Sequence, residues 1–468
     1  MFYLCKFCIK LSDMKIKPVS FNNLENLVAH VTESSPTFFT ASRTSTVIPY
    51  EKIDKYLMNY NLAELTLADI SQLPSSLSMN SDGHLEVQGP VTWQEAKEFC
   101  NKYDREIMTS PTEELASILS GISTSATGER CFGFGTLRDQ VQSINYLDWK
   151  GNFQSLSANK QLSDSKKFKS NLDLLKSYQE SYHHFKLFKN APFPRFENET
   201  DLMIGTEGQL GVITNAVIKT IPKTDVTYLF ILLPKWEEDF TQHLEIFHKV
   251  QSFRDCIFSC ELVDDNSLQV LDKEDRPGKH GQDLIFLEVL TSKFDFIFKE
   301  LIEKLSSIPM ENIFEISATK CRQLRMSIPR ATFEVNSKMN VVKLGTDVQV
   351  QAYQFEQILV TYRRMAKEAG VKYNLFGHFG DAHLHFNFLP CVKDVDKCQK
   401  YFENLYSDVV KWKASPFAEH GVGLLKQKYI KYFYEAKHFE LFKYLKQEMD
   451  PINQFFPMGF MSLKDSSL

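Results

Sequence analysis

The residues best equipped for chemistry are gathered in Gly377-His378-Phe379-Gly380-Asp381-Ala382-His383-Leu384-His385-Phe386-Asn387. From Asp381 to Phe388 polar and apolar residues alternate. A strand there sends His383, His385 and Asn387 to one face and Leu384, Phe386 and Phe388 to the other. His378 stands seven residues before His385, in a turn bounded by Gly377 and Gly380 that can fold it back over the strand. Further on, Glu419-His420-Gly421-Val422-Gly423 sets a second acid–imidazole pair among small residues. Imidazole with carboxylate suits zinc, manganese or iron. The bland alternative is a satisfied structural histidine cluster. Two clusters holding four of the 12 histidines weigh against it.

Cations and glycines flank these clusters at a distance. Arg322, Arg325 and Arg330 bracket Pro329, and Lys343-Leu344-Gly345-Thr346-Asp347-Val348 follows on a predicted strand; these cations can bind an acidic substrate or simply form a solvated basic face. Leu119 to Thr136 carries four glycines and six hydroxyl residues, so a ligand can approach its backbone closely and a diphosphate can be cradled. Gly205-Thr206-Glu207-Gly208-Gln209-Leu210-Gly211 lies between an apolar run and a β-branched strand. Its spacing is not that of a dinucleotide GxGxxG and no helix is expected after it, so a Rossmann reading fails. Arg43, Thr44 and Ser45, in a polar turn after Phe38-Phe39, can hold phosphate by charge and hydrogen bonds, or can be an ordinary solvated hairpin.

Composition narrows the classes. With 468 residues the chain can form two or three domains. A net charge of −5 argues against nucleic acid as a partner. The 9 scattered cysteines suit a reducing compartment, and Cys5-x-x-Cys8 has no second pair to complete a metal site. The apolar start is interrupted by Lys6 and Lys10, a poor signal peptide, and Met14 is a candidate start. No apolar run reaches the roughly 18 residues of a membrane span. A cytoplasmic protein is expected, with peripheral contact on the inner face of a membrane and a homodimer both compatible.

The elements that must position these residues are expected as follows. Strand, turn and strand cover 38–49, and a strand covers 84–91. A helix runs from Trp93 to Tyr103 behind a Thr92 cap, and a strand from Val141 to Trp149. The Lys/Ser-rich tract from 151 is a surface insertion, mostly helical, without a functional reading. Pro222-Lys223 marks a boundary, after which strands at 226–233, 256–263 and 284–290 alternate with helices, an α+β pattern. Residues 424–449 form one long amphipathic helix, ended by Asp450-Pro451.

In sequence order, the Thr124–Gly128 and Phe134–Asp139 stretch, Gly205–Thr214, His378–Asn387 and Glu419–Gly423 resemble four motifs of the FAD-linked oxidases. These include D-lactate and D-2-hydroxyglutarate dehydrogenases and the flavin subunit of glycolate oxidase. The resemblance spans residues 120 to 423. It implies a vanillyl-alcohol-oxidase-like α+β architecture: a two-subdomain FAD-binding fold of the PCMH type, then an α+β substrate or cap domain, with a C-terminal segment returning to the flavin domain. Its bounds would be 1–20 for an extension, 21–223 for the FAD-binding domain with the insertion at 151–200, 224–415 for the cap and 416–468 for the returning segment. By the same resemblance Gly121, Thr124, Ser125, Gly128, Gly135, Gly205, Gly208, Gly211 and Ile213 line non-covalent FAD, with Arg43, Thr44 and Ser45 in the first phosphate loop. His378, His385 and Glu419 hold a divalent metal, zinc or manganese. His420 is the base, Arg325 and Lys343 hold the substrate carboxylate, and Asn387 lies near the substrate.

The implied reaction is oxidation of a small D-2-hydroxy acid, with electrons leaving to a quinone, a cytochrome or an electron-transfer flavoprotein. Metal-assisted loss of the hydroxyl proton to a neutral imidazole and hydride transfer to flavin make coherent chemistry. The chain departs from the pattern in places. Ser42-Arg43-Thr44-Ser45 lacks the glycines of the first phosphate loop, Ala382-His383 replaces Gly-Asn, Gln209 stands for a threonine and Ala418 for a glycine. Phe456-Pro457-Met458-Gly459 occupies the place of an Asn-Pro-Gly. Two other readings follow: a flavin-poor, non-catalytic subunit of a larger oxidase, and a metal-dependent hydrolase built on His378, His385 and Glu419.

Overall fold

The computed structural model describes residues 15–57, 60, 62–278, 280–303, 308–341 and 343–463. Cys5, Cys8 and Met14 lie outside them. Four sheets organise the described residues. A parallel three-stranded sheet has the order Lys15–Ser20, Glu64–Asp69, Thr37–Thr40. An antiparallel five-stranded sheet runs Ser76–Met79, Leu85–Gln88, Val212–Ile218, Val141–Leu147, Phe153–Ser157. Thr220–Pro222 pairs with Arg105–Ile107.

The largest sheet has seven antiparallel strands in the order Ile313–Ile316, Val226–Pro234, Gln282–Leu290, Ile257–Val263, Tyr373–His378, His383–Phe388, Leu344–Gly345. The helices Thr241–Val250, Ala318–Lys338, Phe355–Ala369 and Val395–Lys411 belong to the same α+β half of the chain. Its register matters most for function. His378 pairs with His383 and Phe376 with His385, while Leu262 pairs with Gly377 on the next strand. One pleat therefore puts His378, His383, His385 and Glu261 on a common face, with Leu375, Leu384, Phe386 and Phe388 buried behind it.

Three local expectations are corrected. Phe38 to Pro49 is not a hairpin: Thr37–Thr40 pairs in parallel with Glu64–Asp69, and the chain then leaves the sheet as a loop. Residues 424–449 are not one helix; a 3-10 helix, Gln427–Tyr432, precedes the α-helix Ala436–Met449. The break falls where Glu435 takes an extended conformation and caps the new helix with a reciprocal Glu435–His438 box. The tract after residue 151 is neither mostly helical nor a surface insertion. It supplies the strand Phe153–Ser157 and only one α-helix up to residue 190, Leu172–Glu180, and it buries Phe168, Tyr178, Tyr182, Phe185 and Phe188. The Thr92 cap and the helix Trp93–Asn101 form as expected, with the full Thr92–Glu95 box.

The C-terminal segment closes the molecule. The Thr37 N–H donates to the Gln454 carbonyl at 2.7 Å, the Phe456 N–H donates to the Thr37 carbonyl at 2.8 Å, and the Met461 N–H donates to Gln209 Oε1 at 2.8 Å. No helix among the described residues is long and apolar enough to cross a membrane.

Candidate active site

Two tight turns of the chain, a 3-10 turn and a bend, build the centre. In the hairpin Tyr373–His378/His383–Phe388, a 3-10 turn over Phe379–Asp381 ends with Ala382 at φ +52°, so the strand starts at His383 rather than Asp381. That left-handed conformation costs a side-chain-bearing residue about 1–2 kcal/mol and explains why glycine suits the place better. Gly377, at φ +128°, is held by space as well: a Cβ there would come within 2.8 Å of the His385 ring. Asp381 pairs with Lys189 and Arg254, each at 3.4 Å. The second turn carries Glu419 and His420, whose N–H groups donate to the two oxygens of Asp347 at 3.1 and 2.9 Å.

Around Glu419 the three imidazoles converge. His378 Nε2 lies 2.8 Å from Glu419 Oε2, His385 Nε2 3.7 Å and His383 Nδ1 4.0 Å. The opposite ring nitrogens are each held: His378 Nδ1 by Glu261 at 2.9 Å, His385 Nδ1 by the Thr346 carbonyl at 3.2 Å, His383 Nε2 by Asp347 at 3.1 Å. The His420 ring stacks on His385 with centroids 4.9 Å apart, and its Nδ1 is 3.8 Å from Asp347. Donor atoms of His378, His383, His385 and Glu419 all lie within 4.8 Å of one another, a donor set that fits a divalent ion.

Charge is arranged around Asp347. It is fully buried, which works against ionisation, yet Lys426 at 2.7 Å and the neighbouring imidazoles hold it well below the usual carboxylate range. Burial, with Lys343 and Lys426, pushes His420 down to about 3 against the pull of Asp347, so its imidazole is neutral over the working range. Burial and Lys426 lower Lys343 to about 8, against Asp347 and Glu419. Burial lowers Arg325 to about 10. Arg325 is already engaged, in an ion pair with Glu129 and 3.4 Å from the Thr112 hydroxyl. Arg322 and Arg330 pair instead with Glu114 and Glu113 nearer the surface.

A cavity of about 320 Å³ opens in front of these groups. His378, His385, Glu419, His420, Arg325 and Lys343 line it, as do Arg43, Thr44, Ser45, Gly121 and Thr124. Two smaller cavities continue its walls: one of about 80 Å³ reached by Gly208, Gly211 and Ile213, and one of about 40 Å³ reached by Ser125 and Gly205. Glu207 fronts all three. Burial raises it to about 7, against hydrogen bonds from the Val422 and Gly423 N–H groups. A Cβ at Gly208 would meet nothing within 4 Å, so the backbone there is bare to a ligand.

Three expected residues line none of these spaces. Asn387 shares the face of His383 and His385 but is fully buried against Gly345, its Oδ1 without a partner. Gly128 is required by packing, since a Cβ would fall 1.9 Å from the Ser110 carbonyl oxygen, and Gly135 ends the short helix Cys131–Phe134 at φ +76°.

Several site residues escaped the sequence reading. Glu261 and Asp347 back the histidines but are single acids without a motif. Asn190, from the tract that gave no functional reading, joins the Ser125 and Ala418 carbonyls at 3.0 and 2.9 Å. His383 carries the one visible signal, since it shares the period-two face of His385.

A buried acid–imidazole centre in an α+β chain thus opens onto a cavity lined by cations, hydroxyl groups and glycine main chain. Residues 237–458 match the family described as FAD linked oxidases, C-terminal domain. Over 426 residues the chain is 22% identical to D-lactate dehydrogenase (cytochrome), mitochondrial, of Kluyveromyces lactis, covering 86% of this chain and 67% of that one. It is 28% identical over 261 residues to D-2-hydroxyglutarate dehydrogenase, mitochondrial, of Danio rerio, 53% of this chain and about half (48%) of that one. Among solved structures, an alkyldihydroxyacetonephosphate synthase superposes with a TM-score of 0.63 over 94% of this chain and 75% of its own, at 12% identity, a likeness of fold. Residues 237–458 thus carry the likeness to the C-terminal domain of the FAD-linked oxidases, and over its longer matches the chain is similar to dehydrogenases of D-lactate and D-2-hydroxyglutarate.

Proposed function

We propose that this chain oxidises a D-2-hydroxy acid of the lactate, glycolate or 2-hydroxyglutarate type, with FAD as hydride acceptor and a divalent ion held by His378, His385 and Glu419. The observation that carries the proposal is convergence. The imidazoles of His378 and His385 with Glu419, a neutral His420, and the cations Arg325 and Lys343 share one cavity whose walls continue along Gly208, Gly211 and Ile213. In that reading the division at Pro222-Lys223 separates a mostly FAD-binding part from a mostly substrate-binding part.

Each of the chain's residues then has a task. Arg325, a planar fork, takes the substrate carboxylate in two parallel hydrogen bonds once it parts from Glu129. Lys343 adds a point charge. Asp347 holds the His420 main chain, and a His420 ring with its proton on Nδ1, the nitrogen 3.8 Å from Asp347, accepts the hydroxyl proton at Nε2. FAD, if bound, would supply the two-electron acceptor, and an ion on His378, His385 and Glu419 would supply the positive charge that acidifies the hydroxyl. Electrons then leave to a quinone, cytochrome or flavoprotein partner.

The test is a visible absorption spectrum of the purified protein before and after anaerobic D-lactate. Flavin bands that bleach with D-lactate or another 2-hydroxy acid are expected. Bands that no 2-hydroxy acid bleaches would overturn the substrate class. A second reading, the flavin-poor subunit, is favoured by one observation: the glycine-free loop holds Arg43 at φ +52°, 3.5 Å from Asp69. Absence of flavin even after incubation with FAD would select it.

Lys343 predicts the alkaline limb. A lysine lowered to about 8 carries its charge below that pH and loses it above, while the substrate carboxylate stays charged throughout. Activity as kcat/KM is expected to fall above about pH 8, and Lys343→Arg to carry the limb more than one unit higher. An unmoved limb would assign it to another group.

A further inference from the structure

His383 stands beside the proposed metal donors but is not required by them, and its geometry is not that of a packing residue. Its ring is fully buried. Nε2 is spent on Asp347 at 3.1 Å, which makes it the N–H side and leaves a lone pair on Nδ1. That Nδ1 has no hydrogen-bond partner. It faces Glu419 Oε2 at 4.0 Å, from the same side as His378 Nε2 and His385 Nε2.

A buried acceptor left idle is costly, and histidines that bind metals characteristically give their other nitrogen to an acceptor. Here each of the three rings is backed by a different one: Glu261, Asp347 and the Thr346 carbonyl. The backing leaves lone pairs on His383 Nδ1 and His385 Nε2 facing Glu419, and His378 Nε2, 2.8 Å from Glu419 Oε2, would face the same ion once it gives up the proton it shares there. A merely structural His383 would need only the Asp347 bond and would leave Nδ1 against carbon or a donor.

We propose that His383 is a fourth protein ligand, through Nδ1, completing a His378–His383–His385–Glu419 set. This rests on the reading that His378, His385 and Glu419 bind a divalent ion. The addition changes what the ion can do. Four protein ligands complete a tetrahedral shell and leave no position open. A hydroxy acid that chelates through its hydroxyl and one carboxylate oxygen needs two, which four protein ligands leave only in an octahedral shell. The site therefore works with an ion that expands to six-coordination, and it holds its metal more tightly than a three-ligand site. Asp347, which orients the His383 ring, is a positioning residue for that set.

The test uses metal-stripped protein titrated with Co²⁺, read by visible absorption and by competition with a chromophoric chelator. Three forms are compared: unaltered, His383→Gln and Glu419→Gln. Glutamine at 383 can keep the donor to Asp347 while removing the Nδ1 ligand. Co²⁺ affinity is expected to fall at least tenfold in His383→Gln, with a changed ligand-field band. The same affinity and the same band in that variant would overturn the proposal while leaving the metal site standing. Failure of the unaltered protein to bind Co²⁺, or equal binding by Glu419→Gln, would remove the metal reading itself and the proposal with it. Should His383→Gln not fold, X-ray absorption of the unaltered protein loaded with zinc decides: three imidazoles per ion are expected, and two would overturn the assignment.

Discussion

Turnover in His420→Ala is expected to fall by about 10²- to 10⁴-fold, the usual contribution of a general base, with flavin content unchanged. The substitution isolates the imidazole. What places the residue is its backbone N–H to Asp347 at 2.9 Å, and alanine keeps that bond. What is lost is a neutral ring at the cavity wall, stacked 4.9 Å from His385 and kept uncharged by burial and by Lys343 and Lys426. Rapid-mixing measurement of flavin reduction by the hydroxy acid, in the absence of air, reads the effect on the chemical step. Reduction at the unaltered rate would remove His420 from the reaction and pass the proton to another group at the cavity.

The second large effect is on stability. Asp347 has no exposed surface and accepts four hydrogen bonds: from the N–H groups of Glu419 and His420, from Lys426 and from His383. In Asp347→Ala the Lys426 ammonium stays buried without its counter-ion. Breaking a buried pair from one side costs about 3–5 kcal/mol, so the urea midpoint should drop accordingly. Because the folded carboxylate ionises well below 3.8, its contribution is complete at neutral pH and fades only as the medium is acidified through and below that value. At pH 7 the gap between the two proteins should be at its widest. A loss under about 1 kcal/mol there would mean that water replaces the carboxylate and that Asp347 is not the keystone of the turn.

The parts of this site that could be read in advance are those written locally. The hairpin declares itself because polar and apolar residues alternate between glycines, and a pleat turns that alternation directly into a face. Glu419-His420 could be singled out because an acid and an imidazole among small residues have little packing role. The Thr92–Glu95 box lies within four residues and formed. What failed depended on distance along the chain. Asp347 meets Glu419, His420 and Lys426 across 72, 73 and 79 residues, and nothing around it in the sequence marks a partner so remote. Glu261 sits alone in the fully buried strand Ile257–Val263, where a lone acid in an apolar run was the available clue. The helix predicted over 424–449 kept its apolar period while the backbone broke at Glu435, since periodicity reports which residues face the core and not whether the ladder between them is continuous.

The strand Thr37–Thr40 is completed by residues that come more than 400 positions later: Gln454 and Phe456 bond to both sides of Thr37, and the Phe456 ring packs tilted against Phe38 with centroids 4.4 Å apart. Phe456 is also a wall of the cavities of about 320 and 80 Å³. Contacts of such separation form late, because the loop must close before they stabilise anything. During synthesis the apolar surface of Phe38 and Leu67 would stay uncovered until that distant stretch is made. The wall of the main cavity is thus finished by residues made long after the strand they complete, which makes that stretch both the lock on the assembled fold and the point at which an interrupted chain is left open to aggregation.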